Sequence, residues 1–163
     1  RNGDLELSVA TQMDEEHFAL YRRYLNARHP GGGMDPEDSE AFREFLGCAW
    51  GRTEFWEYRR AGELLCVSVV DRVPRGFSAV YTFFAPEYPE RSLGTYAILR
   101  QVEQARLQGV PYVYLGYWVP ESEKMDYKRR FRPLEVLQPD GWIPLERLER
   151  IAPGGGFADN AAS

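Results

Sequence analysis

Arg91-Ser92-Leu93-Gly94-Thr95-Tyr96 sits at the junction that orders the whole chain. Before it, residues 85–90 carry two prolines and cannot continue a strand. After it, a helical pattern runs over about residues 93–108, and Gly109 followed by Pro111 stops it. A helix start presents backbone N–H groups without intrahelical partners, and a preceding arginine adds positive charge. Gly94 then has two uses: it lets an anion approach the backbone, or it lets the helix pack closely on a sheet. Tyr96 puts a bulky ring two residues further on.

Outward from this junction the chain reads as alternating short elements. Residues 5–10 alternate apolar and polar side chains as a half-buried strand does. Asp14 suits the cap of a helix whose apolar stripe is Phe18, Tyr21 and Leu25. His29-Pro30 and the triple glycine 31–33 end that helix, and Asp35-Pro36 begins a second one with Phe42, Phe45, Leu46 and Ala49 on one face. Three strands follow at 54–59, 64–73 and 77–84, turning at Ala61-Gly62 and Pro74-Arg75-Gly76. Beyond the long helix, residues 112–117 read as a strand, 121–131 as a short helix, 134–137 as a last strand and 142–148 as a short terminal element. The Gly/Ala-rich stretch 153–163 is expected to be a disordered tail after one domain, 1–152.

Composition bounds the class. The 163 residues are the size of one ordinary domain, 44% apolar and 28% charged. Cys48 and Cys66 lack metal-ligand spacing and read as reduced core residues, so no metal site is expected. No apolar run is long enough to span a bilayer and no signal-peptide pattern opens the chain, which points to the cytosol and to no membrane partner. A net charge of −5 argues against general coating of nucleic acid while leaving room for a local basic patch.

The order strand, two helices, three strands, long helix, strand, short helix, strand resembles the GNAT acyltransferase superfamily. The expected fold class is therefore α/β, a mixed central sheet of about six to seven strands flanked by helices. In that superfamily the fourth and fifth strands part and the acyl donor enters the gap. Its acetyl-CoA users carry R/Q-x-x-G-x-G/A at the start of the long helix. Arg91 and Gly94 meet that pattern and Tyr96 does not, so the segment resembles an anion-binding helix start that fits coenzyme A poorly.

Candidate reacting groups follow from the strand patterns. Asp71 shares the apolar face of Leu65, Val67, Val69 and Val73, where a carboxylate needs a partner. Either burial raises its pKa towards that of a useful base, or backbone N–H groups at the Pro74 turn satisfy it. Period-two alternation places Ser78 on the face opposite Tyr81. Tyr81, Tyr114, Tyr117 and Tyr127 map to the sheet centre or beyond its fifth strand, and one of them is suited to protonating a leaving oxygen. Residues 124–132 (KMDYKRRFR) hold five cations and one acid, +4 in an acidic chain. Lys124 and Lys128 are four apart, as are Tyr127 and Phe131. A solvated charged face is the ordinary reading of such a run. Beside an altered phosphate loop it also suits a phosphate-rich donor larger than coenzyme A, such as a nucleic-acid 3′ end.

The stretches LYRRYLNARHPGGGMD (20–35), VYTFFAPEY (80–88), SLGTYAI (92–98), YVYLGYW (112–118) and KMDYKRRFRP (124–133) resemble the C-terminal domain of the aminoacyl-tRNA–protein transferases. The triple glycine resembles the bacterial aspartate/glutamate leucyltransferase branch more than the eukaryotic arginyltransferases. This resemblance implies transfer of leucine from the acceptor end of leucyl-tRNA to proteins beginning with Asp or Glu, marking them for degradation. Aminoacyl-tRNA is then a co-substrate and no cofactor is implied. On that reading Asp71, Tyr81 and Ser78 line the reaction centre. Arg91, Ser92, Gly94, Tyr96, Tyr114, Tyr117, Lys124, Tyr127, Lys128 and Arg132 contact the aminoacyl-tRNA. The family's N-terminal half with clustered cysteines is expected to be absent, and an isolated domain to transfer poorly. Where members often carry an acidic residue, this chain has Ala85, with Glu87 nearby. An acyl-CoA N-acyltransferase and an arginyl transferase are the alternatives.

Overall fold

A computed structural model describes residues 1–28, 35, 37–46, 52–119 and 122–151; the triple glycine, Cys48, Ala49 and the stretch 153–163 lie outside the described residues. The chain clusters into two compact units, Arg1–Gly116 and Tyr117–Ser163.

The first unit contains strands β1 (Glu6–Ala10), β2 (Arg52–Arg60), β3 (Glu63–Val73), β4 (Gly76–Phe84) and β5 (Tyr112–Tyr114). They form one sheet in chain order, antiparallel from β1 to β4 and parallel between β4 and β5. Its helices are α1 (Glu15–Arg28), α2 (Ser39–Leu46) and α3 (Leu93–Gln108). A parallel step needs a long crossover, and α3 supplies it. The β2–β3 hairpin turns on Ala61 and Gly62 with φ of 47° and 87°, the positive values that match the twist of paired strands. At the next turn Gly76 is obligatory: a Cβ there would lie 1.9 Å from the carbonyl oxygen of Tyr112. The missing side chain is what lets β5 lie against β4.

Helix boundaries follow local chemistry. Asp14 accepts a hydrogen bond from the His17 amide at 2.9 Å, capping α1 as its sequence suggested. Gly109, at φ 68°, closes α3 while the Val110 amide donates to the Ala105 carbonyl at 3.0 Å, the six-residue bond of a Schellman motif. β3 is buried continuously from Leu64 to Val70, because α1 and α2 cover one face of the sheet and α3 the other. A strand buried on both faces loses the alternation that marks a half-solvated one.

The second unit holds α4 (Glu123–Asp126), a 3-10 turn (Tyr127–Arg130), the hairpin of β6 (Glu135–Gln138) and β7 (Gly141–Pro144), and α5 (Leu145–Ile151). Its fully buried Leu145 donates its amide to the Leu134 carbonyl at 2.8 Å. Seven strands are present among the described residues, divided five and two between separate sheets. The strand expected over 112–117 stops at Tyr114, and Gly116 at φ 74° turns the chain out of the extended region.

Candidate active site

β4 carries the candidate reacting residues Ser78 and Tyr81, and a bulge decides how they face. Its register with β3 runs Val67–Phe83, Ser68–Thr82 and Val69–Tyr81, then resumes at Val70–Ala79 and Asp71–Ser78, leaving Val80 as the extra residue. Cross-strand partners project to the same face. Because Val69 and Asp71 share a face of β3, their partners Tyr81 and Ser78 share one too. The expectation that Ser78 faces away from Tyr81 is therefore corrected. Simple alternation failed because the inserted residue resets the phase.

At the start of β4 a polar rung crosses four strands: Thr53 opposite Asp71, Asp71 opposite Ser78, Ser78 opposite Tyr114. The Thr53 hydroxyl donates to Asp71 at 2.6 Å. Asp71 is half-buried and has a side-chain hydroxyl as partner, so the alternative of a carboxylate satisfied at the Pro74 turn is not what the fold uses. Ser78 and Tyr114, with Val73, Pro74 and Arg75, line a shallow hollow of about 410 Å³.

β5 pairs with β4 only from Gly76 to Ser78. Past that point residues 79–84 have no strand on their β5 side among the described residues, and this edge is lined by rings. Tyr81 lies 5.4 Å from Phe45, 6.3 Å from Tyr21 and 6.4 Å from Tyr24, all edge to face. Burial pushes the Tyr81 phenol well above its usual range, with the nearby Tyr24 and Tyr21 adding to the effect. Tyr81 is thus a hydroxyl that stays protonated at neutral pH, able to donate to an oxygen that gains negative charge.

The segment 91–96 departs from its sequence reading in two ways. The first intrahelical bond of α3 runs from the Tyr96 amide to the Ser92 carbonyl, which leaves the amides of Leu93, Gly94 and Thr95 at the helix mouth. Tyr96, however, turns its ring onto buried Tyr58 of β2 at 5.5 Å, so it packs towards the sheet and does not block the mouth. Gly94 serves packing: a Cβ there would come within 3.3 Å of the Phe84 ring. Arg91 is held bidentately by Asp4 at 2.8 and 2.9 Å, and the hydrogen bond from Arg91 keeps the Asp4 carboxyl at about 2. Asn2 donates to the Arg91 carbonyl at 3.0 Å, and Arg1 donates to the Ser92 hydroxyl at 3.5 Å. The loop is pinned by the first four residues, and Ser92 adopts the left-handed φ of 51° within it.

In the second unit, three of the four described cations of the segment 124–132 already have partners. Lys128 is buried, its ammonium donates to the Tyr117 carbonyl, and burial lowers its pKa. Arg132 pairs with Glu146 at 2.6 Å, and Arg129 pairs with Glu149 at 2.7 Å while lying 5.9 Å over Trp118. Tyr127 and Phe131 meet edge to face at 6.4 Å, as their spacing suggested, and Tyr117 is 91% exposed. The side chain of Lys124 lies outside the described residues. A count over nine residues misses the acids of α5, which fold back to answer it.

Sequence patterns gave no sign of a second feature. Fully buried His17 accepts the Asp14 amide at Nδ1 (3.3 Å), which leaves Nε2 to donate to Glu57 at 3.0 Å. Burial pushes the Glu57 carboxyl up, but the hydrogen bond and charge of Arg59 and the hydrogen bond from His17 outweigh it and hold it below its ordinary value. Forty residues separate His17 from Glu57, so only pairing of β1 with β2 under α1 joins them. Among the described residues no three His, Cys, Asp or Glu side chains are grouped to hold a metal ion, and no helix is long and apolar enough to cross a membrane.

Comparison with known proteins fits this geometry. An aspartate/glutamate leucyltransferase of Stenotrophomonas maltophilia is 49% identical over 149 residues, covering 87% of this chain and 59% of that protein. One from Hahella chejuensis is 47% identical over 146 residues, covering 89% and 62%. The chain thus spans about three fifths of the length of these relatives. The ribosomal-protein-S18-alanine N-acetyltransferase of Escherichia coli superposes with a TM-score of 0.56 at 11% identity, over 85% of this chain and 89% of that one, which shows a shared fold and nothing about activity or substrate. The profile for the C terminus of arginine-tRNA-protein transferases matches residues 16–138. With three quarters of its length inside that match, the chain belongs to the family of the arginine-tRNA-protein transferase C terminus.

Proposed function

We propose that this chain carries the transfer centre of an aspartate/glutamate leucyltransferase, moving leucine from leucyl-tRNA to the α-amine of proteins that begin with Asp or Glu. The observation that carries the reading is the ring-lined edge of β4 beyond Ser78, with protonated Tyr81 facing it. The reaction is aminolysis of an ester. A free α-amine titrates at about 7.7–8.0, so a usable fraction is neutral near pH 7 and little base assistance is needed. The amine attacks the carbonyl carbon, the oxyanion is met by backbone amides along residues 81–83, and the ribose oxygen leaves with a proton. Tyr81 supplies that proton, or the hydrogen bond that stands in for it, and the proton shed by the attacking nitrogen replaces it. Asp71 and Ser78 keep a supporting role two rungs away.

For the donor, exposed Tyr127 and Arg130 are the side chains of the second unit best suited to a phosphate-bearing end. Arg91 and Arg132 would each exchange a carboxylate for a phosphate, whereas Lys128 acts through the Tyr117 backbone. Ser92 and Gly94 lie at the helix mouth, with Tyr96 beneath them and Tyr114 at the closed end of β4. The reaction takes place in the cytoplasm, uses no cofactor and tags its product for degradation.

Arginyl transfer is the second reading, favoured by the name of the matching family. The full-length protein, charged tRNA and a peptide beginning with Asp decide between them. Labelled leucine is expected in the peptide. Arginine incorporation supports the second reading, and acetylation from acetyl-CoA without leucine transfer overturns both.

A further inference from the structure

Arg28 closes α1, and its exposed guanidinium lies 5.3 Å over the ring of Phe84. Phe84 meets Tyr24 edge to face at 5.0 Å, and Tyr24 meets Tyr81 at 6.4 Å. A continuous row therefore runs from an exposed cation to the half-buried phenol, beside the stretch of β4 that β5 leaves unpaired. Two other cations of α1 are already answered, Arg22 by Glu37 at 2.5 Å and Arg23 by Glu87 at 3.9 Å. Arg28 meets no carboxylate among the described residues. A guanidinium stacked on a ring is held in orientation while its in-plane N–H fork stays available to a carboxylate.

Resting on the transfer reading above, we propose that Arg28 determines acceptor specificity by taking the side-chain carboxylate of an N-terminal Asp or Glu, which Phe84 and Tyr24 flank. An acidic residue hydrogen-bonded at both ends spans roughly 10 Å. The row it would lie along steps 5.3 Å, 5.0 Å and 6.4 Å from Arg28 through Phe84 and Tyr24 to Tyr81, so a carboxylate on Arg28 leaves the α-amine on the Tyr81 side. Both acids fit because they differ by one methylene and Arg28 approaches from solvent on a flexible stem. A fork of charge-assisted hydrogen bonds supplies the selectivity, and an acceptor without the carboxylate leaves that fork empty.

The test compares full-length wild type with Arg28→Ala and Arg28→Glu, using leucyl-tRNA and peptides beginning with Asp, Ala or Lys. Arg28→Ala is expected to raise KM for the Asp peptide by about 10- to 100-fold, the range for a lost charged hydrogen bond. The slow reaction of the Ala peptide and KM for leucyl-tRNA should stay unchanged. Arg28→Glu is expected to favour the Lys peptide over the Asp peptide. Equal loss for all acceptors overturns the proposal, and so does a raised KM for leucyl-tRNA, which would mark Arg28 as a phosphate contact. If wild type transfers no leucine, the transfer reading itself fails. If wild type is active and Arg28→Ala matches it on the Asp peptide, only the assignment of Arg28 fails.

Discussion

The two ends of β4 show how one strand can be built for opposite purposes. At its start, Gly76 to Ser78 pair on both sides and a polar rung crosses the sheet: Thr53 donates to Asp71, with Ser78 and Tyr114 next in register. At its end the pairing with β5 has stopped, the Ser68 and Thr82 hydroxyls meet at 3.4 Å, and rings crowd Tyr81 and Phe84. The bulge at Val80 separates the two and turns Tyr81 to the face that Ser78 already occupies. Groups satisfied by the fold hold structure, and groups the fold leaves unsatisfied are the ones free for substrate.

Removing the phenolic oxygen of Tyr81 is the sharpest way to break this contrast. Tyr81→Phe is expected to lower kcat for leucine transfer by about 100- to 1000-fold, within the range for losing a general acid, with melting temperature little changed. Single-turnover transfer measures it, and a variant as fast as wild type removes the open end from the chemistry. Gly76→Ala attacks the closed end. Its Cβ would overlap the Tyr112 carbonyl, so β5 must shift, at a cost of about 3 kcal/mol read by urea unfolding. A neutral result would mean that β5 needs no close approach to β4.

Ser78→Ala tests whether the rung reaches the reaction. A change in kcat of less than about fivefold is expected, since only a supporting contact is lost. A drop as large as that of Tyr81→Phe would move the reaction centre to the closed end. The smallest effect concerns the pinned loop. Asp4 has a folded pKa of about 2 against 3.8, so its tie to Arg91 adds stability above the higher value and loses it as pH falls through the lower. NMR of the Asp4 carboxyl and the Arg91 side chain should show the pair releasing in a transition centred at about pH 2. A titration centred near 4 would show that Arg91 is free for phosphate at neutral pH.

Much of this protein follows from local sequence. Asp14 before the Phe18–Leu25 stripe sets α1, Gly109 ends α3, and Ala61-Gly62 turns the hairpin, because caps and turns act over a few residues. Five ordered motifs carried the family, and the edge aromatics Tyr81 and Tyr24 stood within them. Tertiary structure alone decided which of these side chains are spent. Asp4 lies 87 residues from the Arg91 it neutralises, Glu146 lies 14 from Arg132, and Lys128 turns inward to a backbone carbonyl. One inserted residue in β4 reversed the face assigned to Ser78. Periodicity and charge counts describe a residue's neighbours in the chain, whereas the availability of a charge or a hydroxyl depends on its neighbours in space. That is why Arg91 is occupied by Asp4, while Arg28 at the end of α1 meets no carboxylate among the described residues.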